Sequence, residues 1–175
     1  YETVFSGLAE SAPISTPKDK LLAVQRGTLV DEADIGGSLT WYPDEGTPYA
    51  IVSRAGTLVT DFVYQDAAMS TDKLIAVQNG TGNWGYVNET GEEVIPCEYR
   101  PILHYGHTEL SYPAPELFGF VVLQDENGQY LVKDVAGKTL IRAGQYEKLA
   151  PSLQQNCVWA QQSGMWGLLD LSAFL

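Results

Sequence analysis

The sequence has few of the residues from which redox, metal and nucleic-acid sites are built. Among its 175 residues are two cysteines, two histidines and ten lysines or arginines, against 22 aspartates and glutamates. The net charge of −12 argues against nucleic acid and anionic membranes as partners, because both attract Lys and Arg. No apolar run approaches the roughly 18 residues of a membrane-spanning helix. We therefore expect no nucleic-acid binding and no membrane insertion.

The scarcity of cysteine also limits covalent cross-linking. Cys97 and Cys157 lie in different parts of the chain, and they could pair in an oxidising compartment. Two sparse cysteines are, however, more often unpaired and behave as small apolar side chains. The sequence favours two free thiols and leaves a disulfide as the alternative.

An internal repeat is the main feature that the sequence does contain. An aromatic residue opens a motif that occurs at 49–56, 84–91, 130–137 and 166–173. The apolar run before the motif is repeated too, as a comparison of 20–25 with 73–78 shows. Repeats of this kind indicate a scaffold whose neighbouring units bury one another's apolar surfaces.

The repeats divide the chain into units within a single domain of residues 1–175. A tyrosine precedes each motif and marks the start of a unit: Tyr1, Tyr64, Tyr99 and Tyr146. We therefore predict units 1 to 4 at residues 1–63, 64–98, 99–145 and 146–175. Unit 1 carries an insertion at 26–48, and unit 3 carries one at 101–117. Repeat proteins place binding surfaces on such elaborated loops; a capping or packing role is the alternative.

Each unit is predicted to be an antiparallel meander of three short strands. Asn79-Gly80 in unit 2 separates two apolar runs, which is a strong hairpin signal because both residues accept positive φ. After the second strand, a glycine follows Ser, Asn or Asp by three positions, as in a type I turn; these glycines are Gly56, Gly91 and Gly137. The predicted fold class is all-β, with tandem β-hairpins or three-stranded meanders in an open stack or a propeller-like ring.

The residues at 83–99, NWGYVNETGEEVIPCEY, resemble the WG-repeat family, whose units follow G-x-WG-Y/F-I/V-D/N-x-x-G-x-x-V-I-P-x-x-Y. Unit 4 resembles the pattern well. Units 1 and 3 depart from it, with Tyr49 and Tyr130 in place of Trp and with Ala50 and Leu131 in place of Gly. The resemblance implies a β-rich interaction module, common in bacterial and exported proteins, without catalytic residues.

The paired aromatics of the motif have two interpretations. Trp84 and Tyr86 are two residues apart on a strand, so they share a face. They either lie in the core between units, with Gly85 allowing close approach, or form an exposed platform that stacks on sugar rings. The repeating position favours the core, and we predict an equivalent core role for Trp166.

Two further motifs suggest ligand sites but are better explained as loops. Residues 80–85 match G-x-G-x-x-G, yet a dinucleotide site requires this motif to open a helix, and a strand follows here. His104, His107 and Glu109 are metal-ligand types close together, but a zinc site needs more firmly placed ligands. We predict a hairpin loop and an exposed polar loop, with no metal and no cofactor.

No arrangement of nucleophile and base is recognisable, so we predict no catalytic residues. A pair of carboxylates could in principle hydrolyse glycosides, and the candidates are Asp61, Glu92, Glu93 and Glu98. These residues fall at predicted strand ends, where charged side chains normally face water. A hydrolase is therefore the least favoured of the functions considered.

The strongest binding candidate lies in the first insertion. Trp41, Tyr42, Asp44 and Glu45 lie outside the repeat pattern, so packing between units does not account for the two aromatics. Trp and Tyr are favoured binding anchors, and acidic neighbours suit a cation, a basic peptide or a hydroxyl-rich sugar. If Trp41 is enclosed by its own domain, the segment is instead a structural cap.

The sequence thus predicts a non-enzymatic β-repeat interaction module that binds a protein or glycan ligand. A carbohydrate or cell-wall binding module that uses exposed aromatics is the alternative. Because the chain starts at Tyr1 and resembles a family with many exported members, we expect a bacterial protein located outside the cell or at its surface.

Overall fold

The computed structural model describes residues 21–32, 38–104 and 111–174. These residues form β-strands and no helix, which confirms the all-β prediction. The strands are β1 (Leu21–Val24), β2 (Gly27–Glu32), β3 (Ser38–Pro43), β4 (Ala50–Ser53), β5 (Asp66–Ala68), β6 (Leu74–Gln78), β7 (Trp84–Asn88), β8 (Glu93–Tyr99), β9 (Leu103–His104), β10 (Ser111–Tyr112), β11 (Phe120–Gln124), β12 (Tyr130–Asp134), β13 (Thr139–Ile141), β14 (Lys148–Pro151), β15 (Cys157–Gln162) and β16 (Met165–Asp170).

The strands form small antiparallel sheets that follow the repeat. In unit 2 the order is β5-β6-β7-β8, in unit 3 it is β11-β12-β13, and in unit 4 it is β14-β15-β16. Unit 1 pairs β1 with β4. Unit 2 is therefore the most complete meander.

The turns after the second strands have the predicted geometry. Gly56, Gly91 and Gly137 have φ of +82°, +85° and +81°. The N–H of each glycine donates a hydrogen bond to the carbonyl three residues earlier. A side chain at Gly91 would also collide with the Val59 carbonyl of unit 1, and one at Gly137 would collide with the Val94 carbonyl of unit 2. These glycines therefore allow both the turn and the close contact between successive units.

Alternate strand residues point to opposite faces of each sheet, because side chains alternate along a strand. We call the face directed at the following unit the forward face. In unit 2 it carries Leu74, Ala76, Trp84 and Tyr86, which share one core cluster with residues of units 3 and 4. The opposite face carries Ile75, Val77 and Val87, which pack with Leu21 and Ile51 of unit 1. The units are thus stacked face to face.

The insertions contain strands rather than irregular loops. In the first, β2 and β3 pair along their length from Gly27↔Pro43 to Glu32↔Ser38. Its base is closed by a bond from the Asp44 N–H to the Arg26 carbonyl, 3.0 Å, and the Arg26 guanidinium stacks 4.8 Å from the centroid of the Phe62 ring. In the second, β9 and β10 form a short ladder.

Both cysteines are free, as the sequence favoured. Cys157 is buried, and Cys97 is half-buried with its Sγ 3.6 Å from the Val77 carbonyl oxygen. Cys97 therefore contributes to the cluster that unit 2 shares with unit 1.

Candidate functional site

The forward face of unit 2 is fully enclosed. Trp84 is 2% exposed and Tyr86 is 1% exposed, and the Tyr86 hydroxyl donates to the Ala114 carbonyl at 2.6 Å. The Nε1–H of Trp84 is buried with no hydrogen-bond partner among the described residues. The ring is therefore held by apolar packing alone, which confirms the core interpretation of this pair.

The forward face of unit 4 occupies the corresponding place in its sheet. Trp166 pairs with Gln161 as Trp84 pairs with Gln78, so the two registers align the units residue by residue. By this alignment the forward face of unit 4 consists of Cys157, Trp159, Trp166 and Leu168. The burial of each forward-face position in unit 2 can therefore be compared with that of its counterpart in unit 4.

Most of the forward face of unit 4 is open to solvent. Trp166 is 50% exposed, Trp159 is 44% exposed and Leu168 is 38% exposed. The prediction that Trp166 is a core residue equivalent to Trp84 is therefore wrong. The physical reason is that Trp84 is flanked by β8 in its sheet and packs with residues of unit 3, whereas no described strand or unit covers Trp166.

The exposed side chains form one continuous apolar surface. Trp159 lies directly opposite Leu168, and Trp166 is displaced by one diagonal position on the same face, close enough for the two indoles to act together. Trp166 and Leu168, but not Trp159, border an open groove of about 520 Å³ whose lining also includes Tyr146, Met165 and Leu169. An exposed aromatic side chain beside a groove can hold an apolar or planar ligand.

A glycine marks the edge of this surface. In unit 2 an added Cβ at Gly85 would lie 2.5 Å from the Ile95 carbonyl oxygen and 2.6 Å from the Cys97 nitrogen, so β8 passes directly over this residue. At the equivalent Gly167, an added Cβ would meet no described atom within 4 Å. The space that β8 fills in unit 2 is therefore open in unit 4.

The sequence-predicted binding residues lie elsewhere, on the β2–β3 hairpin. Tyr42 is 47% exposed, and Glu45 is exposed in the turn that follows β3. Asp44 is also exposed, and its carboxylate accepts a hydrogen bond from the Thr28 hydroxyl at 3.2 Å. The Trp41 backbone pairs with Leu29, but its side chain lies outside the described part of the structure. This site stays a prediction.

The described residues considered for metal or nucleotide binding lie on the short strand β9 and in the hairpin that leads into β7. His104 Nδ1 lies 2.8 Å from the Ser111 hydroxyl, while His107 and Glu109 lie outside the described residues. The described residues contain no group of three His, Cys, Asp or Glu that could hold a metal. In the 80–85 segment the Asn79 side chain accepts from the Thr81 and Asn83 N–H groups, and β7 follows, so this segment is a hairpin loop.

The four carboxylates considered for hydrolysis are all exposed and belong to local structure. Glu92 accepts from the Asn88 side-chain amide at 3.2 Å, and Glu93 accepts from the Cys97 N–H at 2.9 Å. Burial, followed by the charge of Glu93, raises the pKa of the Cys97 thiol to about 12. The thiol is therefore protonated at neutral pH and is a poor nucleophile.

Sequence reasoning missed Trp159 and Leu168 as members of the site. Trp159 aligns with Ala76 of unit 2, so a tryptophan stands where the enclosed face carries a methyl group. The available signal was a large aromatic residue at a position where the buried unit has only a small one.

Comparison with known proteins gives one match. The family model described as WG containing repeat matches residues 84–100, which are β7, β8 and the turn between them. No curated protein and no solved structure matches the chain. In the part of the chain that the structure describes, no helix is long and apolar enough to cross a membrane.

Proposed function

We propose that this chain, a WG-repeat protein, is a non-catalytic interaction module that binds a partner protein through the forward face of unit 4. The observation that carries the proposal is the exposure of Trp159, Trp166 and Leu168 on a face whose counterpart in unit 2 is enclosed. Trp anchors dominate many protein interfaces. Contiguous exposed apolar surface on a soluble protein marks an interaction site or an aggregation hazard.

The apolar exposure is concentrated in this unit. Among the described residues, the large apolar side chains classed as exposed lie mainly within 146–174, namely Leu153, Trp159, Met165, Trp166, Leu168 and Phe174. A surface that serves only to be solvated would not gather its tryptophans in one place. The concentration supports a binding role for this end of the stack.

The positions of the carboxylates support the non-catalytic part of the proposal. Asp61, Glu92, Glu93 and Glu98 are exposed, and glycoside hydrolysis requires two such groups to flank one glycosidic bond. An activity screen with glycosides and esters tests this part of the proposal.

A carbohydrate ligand is a second candidate, favoured by one observation. Trp159 and Trp166 share a face and are half exposed, and exposed indole faces can stack on sugar rings. The groove is lined by the apolar side chains of Met165, Leu168 and Leu169, which suit a protein ligand. It is also lined by Tyr146, Gln162 and Ser163, which can form hydrogen bonds with hydroxyl groups.

A peptide array and a glycan array, each probed with the labelled chain, distinguish these ligands. We expect wild-type binding to peptides with alternating apolar residues, and loss of that binding in the Trp159→Ser, Trp166→Ser double variant. Val63→Ser removes an equally exposed apolar residue outside unit 4 and should bind as wild type does. Binding to glycans alone would favour the second candidate, and binding that ignores the double substitution would contradict both.

Location at the bacterial cell surface is also part of the proposal. It rests on the family resemblance and is tested by fractionating cells that produce the full-length protein and probing each fraction with an antibody against this chain.

A further inference from the structure

Two of the five asparagines in the sequence, Asn79 and Asn127, are followed by glycine. An Asn-Gly pair can cyclise spontaneously, because a glycine has no side chain to shield its backbone nitrogen from the preceding asparagine. Both pairs lie in a loop between the first two repeated strands of a unit, between β6 and β7 in unit 2 and between β11 and β12 in unit 3. The same chemistry can therefore be compared in two settings within one chain.

The loops at 79–83 and 125–129 share one hydrogen-bonding pattern. In both, the N–H of the first residue donates to the carbonyl of the last, at 3.0 and 2.9 Å, and the N–H of the fourth donates to the carbonyl of the first, at 3.0 Å in each. The fourth residue is a glycine with positive φ, +85° at Gly82 and +79° at Gly128. The loops can therefore be matched position by position, and the Asn-Gly pair opens the first loop but occupies the third and fourth positions of the second.

At the first position of its loop, the Asn79 side chain is held at both ends. Its Oδ1 accepts from the N–H groups of Thr81 and Asn83, at 3.0 and 3.1 Å, and from the Thr81 hydroxyl at 2.7 Å. Its Nδ2 donates to the Cys97 carbonyl at 3.0 Å, which ties the loop to β8. Cyclisation would have to break these bonds, because the side chain must turn away from them towards the Gly80 nitrogen.

At the third position of its loop, the Asn127 side chain is exposed, and its amide makes no hydrogen bond to a described residue. The backbone N–H of Asn127 donates to the Asp125 carboxylate at 2.9 Å, and the Gly128 N–H donates to the Asp125 carbonyl at 3.0 Å. Of these two bonds, the second alone involves a reacting atom. One hydrogen bond must therefore open before the Gly128 nitrogen can attack.

We infer that Asn127 is a site of spontaneous deamidation and that the loop around Asn79 protects that residue from the same reaction. The Gly128 nitrogen, after losing its proton to base, forms a bond to Cγ of Asn127. The bond from Cγ to Nδ2 then breaks, and Nδ2 takes a proton from water and leaves as ammonia. Water opens the resulting cyclic imide at either of its carbonyls and gives aspartate or isoaspartate at position 127. Water is the co-reactant, and no electron is transferred.

Either product changes the loop of unit 3. It adds a carboxylate directly after those of Asp125 and Glu126, so the loop becomes more negative at neutral pH, and isoaspartate also lengthens the backbone within the loop by one carbon. The strands on either side, β11 and β12, are paired along their full length. We therefore expect the modified chain to keep its sheet and to differ from the original in the charge and shape of this loop.

Peptide mapping by mass spectrometry of the intact chain, kept in mildly alkaline buffer, tests the assignment. Replacement of an amide by a carboxylate raises the mass of the peptide that contains it, and an isoaspartyl methyltransferase identifies the isoaspartate. We expect conversion at Asn127 to be faster than at Asn79 by about tenfold or more, because several hydrogen bonds hold Asn79. In the chain unfolded in guanidinium chloride, the two should convert at similar rates, since each precedes a glycine.

A matched variant transfers the exposed arrangement to unit 2. Thr81 is exposed and precedes Gly82, the counterpart of Gly128, so Thr81→Asn places an Asn-Gly pair at the third and fourth positions of the first loop. We expect this variant to convert at position 81 at a rate similar to that of Asn127. Asn127→Gln removes the reactive pair from unit 3, and ion-exchange chromatography should show no more acidic form over the time in which the wild-type chain acquires one.

Equal rates at Asn79 and Asn127 in the folded chain, or faster conversion at Asn79, would overturn the assignment. A difference that persists in the unfolded chain would attribute the rates to local sequence rather than to the loops and would also contradict it. No conversion at Asn127 would mean that the bond between Gly128 and Asp125 protects this site as well, which is again contrary to the assignment. These measurements do not involve a ligand of unit 4, so none of their outcomes bears on the proposed function.

Discussion

Unit 2 and unit 4 carry the same Trp-Gly pair on equivalent strands, and the two pairs lie in opposite environments. In unit 2 the tryptophan is buried and the glycine is crossed by β8. In unit 4 the tryptophan is half exposed and the glycine faces open space. The motif therefore determines the strand and its register, while burial depends on the strand and the unit that lie over it.

The difference also separates stability from binding within one chain. Apolar surface enclosed between units stabilises the stack by roughly 25 cal/mol per Å² buried. The Trp84 side chain is buried in the folded chain, so its apolar surface already contributes to stability. The apolar surface at Trp166 still contacts water, so its burial is available to a partner. The largest differences between the units should therefore appear in paired substitutions at aligned positions.

The largest difference in stability between the two units is expected at the tryptophans. We expect Trp84→Ala to lower the free energy of unfolding by about 3–5 kcal/mol, because it leaves a cavity in a close-packed core. Trp166→Ala should cost less than about 1 kcal/mol, since the ring is half exposed. Chemical denaturation followed by circular dichroism measures both, and equal losses would mean that unit 4 is enclosed as unit 2 is.

Trp84→Phe serves as the control for this pair. It keeps an aromatic ring and removes an indole N–H that has no partner, so the desolvation cost of that group is relieved. We expect a loss clearly smaller than that of Trp84→Ala. A loss as large would point to an undescribed polar contact at Nε1.

The glycines give the next largest difference. Gly85→Ala places a methyl group against the backbone of β8, and we expect it to cost about 1–3 kcal/mol, as overpacking does. Gly167→Ala should be neutral or slightly stabilising, since replacing glycine reduces the entropy of the unfolded chain. Thermal unfolding of the two variants side by side checks this, and a destabilised Gly167→Ala would contradict an open edge.

Alkaline pH should lower the stability of the fold through groups buried around unit 2. Burial, and secondarily the charge of Glu93, raises the pKa of the Tyr64 hydroxyl to about 12 from its ordinary value of 10.0, and the pKa of the Cys97 thiol rises to about 12 from 9.0. The folded state then holds protons that the unfolded state has released, so stability falls as pH rises above about 9 and the loss is complete above about 12. Urea titrations between pH 8 and pH 11 measure the slope, and Cys97→Ala should reduce it.

The smallest effect on stability is expected on the β2–β3 hairpin. Tyr42 is exposed, so Tyr42→Ala should change the free energy of unfolding by no more than about 0.5 kcal/mol. If the hairpin is a second binding surface, the same substitution should remove a subset of array signals that Trp166→Ser retains. An unchanged array would confine binding to unit 4.

Local rules made much of the fold predictable from the sequence. The hairpin predicted at Asn79-Gly80 is present, but its turn runs from Asn79 to Gly82, and Gly82 rather than Gly80 has positive φ. The spacing of Asn88 and Gly91 predicted a turn with positive φ at Gly91, because a turn of this kind depends only on neighbouring residues. The core role of Trp84 was also predictable, since a complete repeat surrounds it in the chain. The pairing of the first insertion into β2 and β3 was not foreseen.

The exposure of Trp166 could not be predicted from its own motif. Burial of a strand face depends on elements that are distant in sequence, and the residues around Trp166 match those around Trp84 too closely to reveal the difference. The informative positions were Ala173, where the turn glycine is missing, and Trp159, where unit 2 has Ala76. Both depart from the repeat, and such departures locate the candidate site better than the repeat itself does.

Residue-resolved amide hydrogen exchange of the wild-type chain tests the central claim most directly, because it compares β7 and β16 without substitution. Both edges of β7 are paired, whereas β16 is paired on one edge among the described strands. The account predicts slow exchange throughout 84–88 and an alternation of slow and fast amides along 165–170, with the fast ones pointing to the free edge. Uniform protection of both strands would show that the edge of β16 is already covered and would contradict the account.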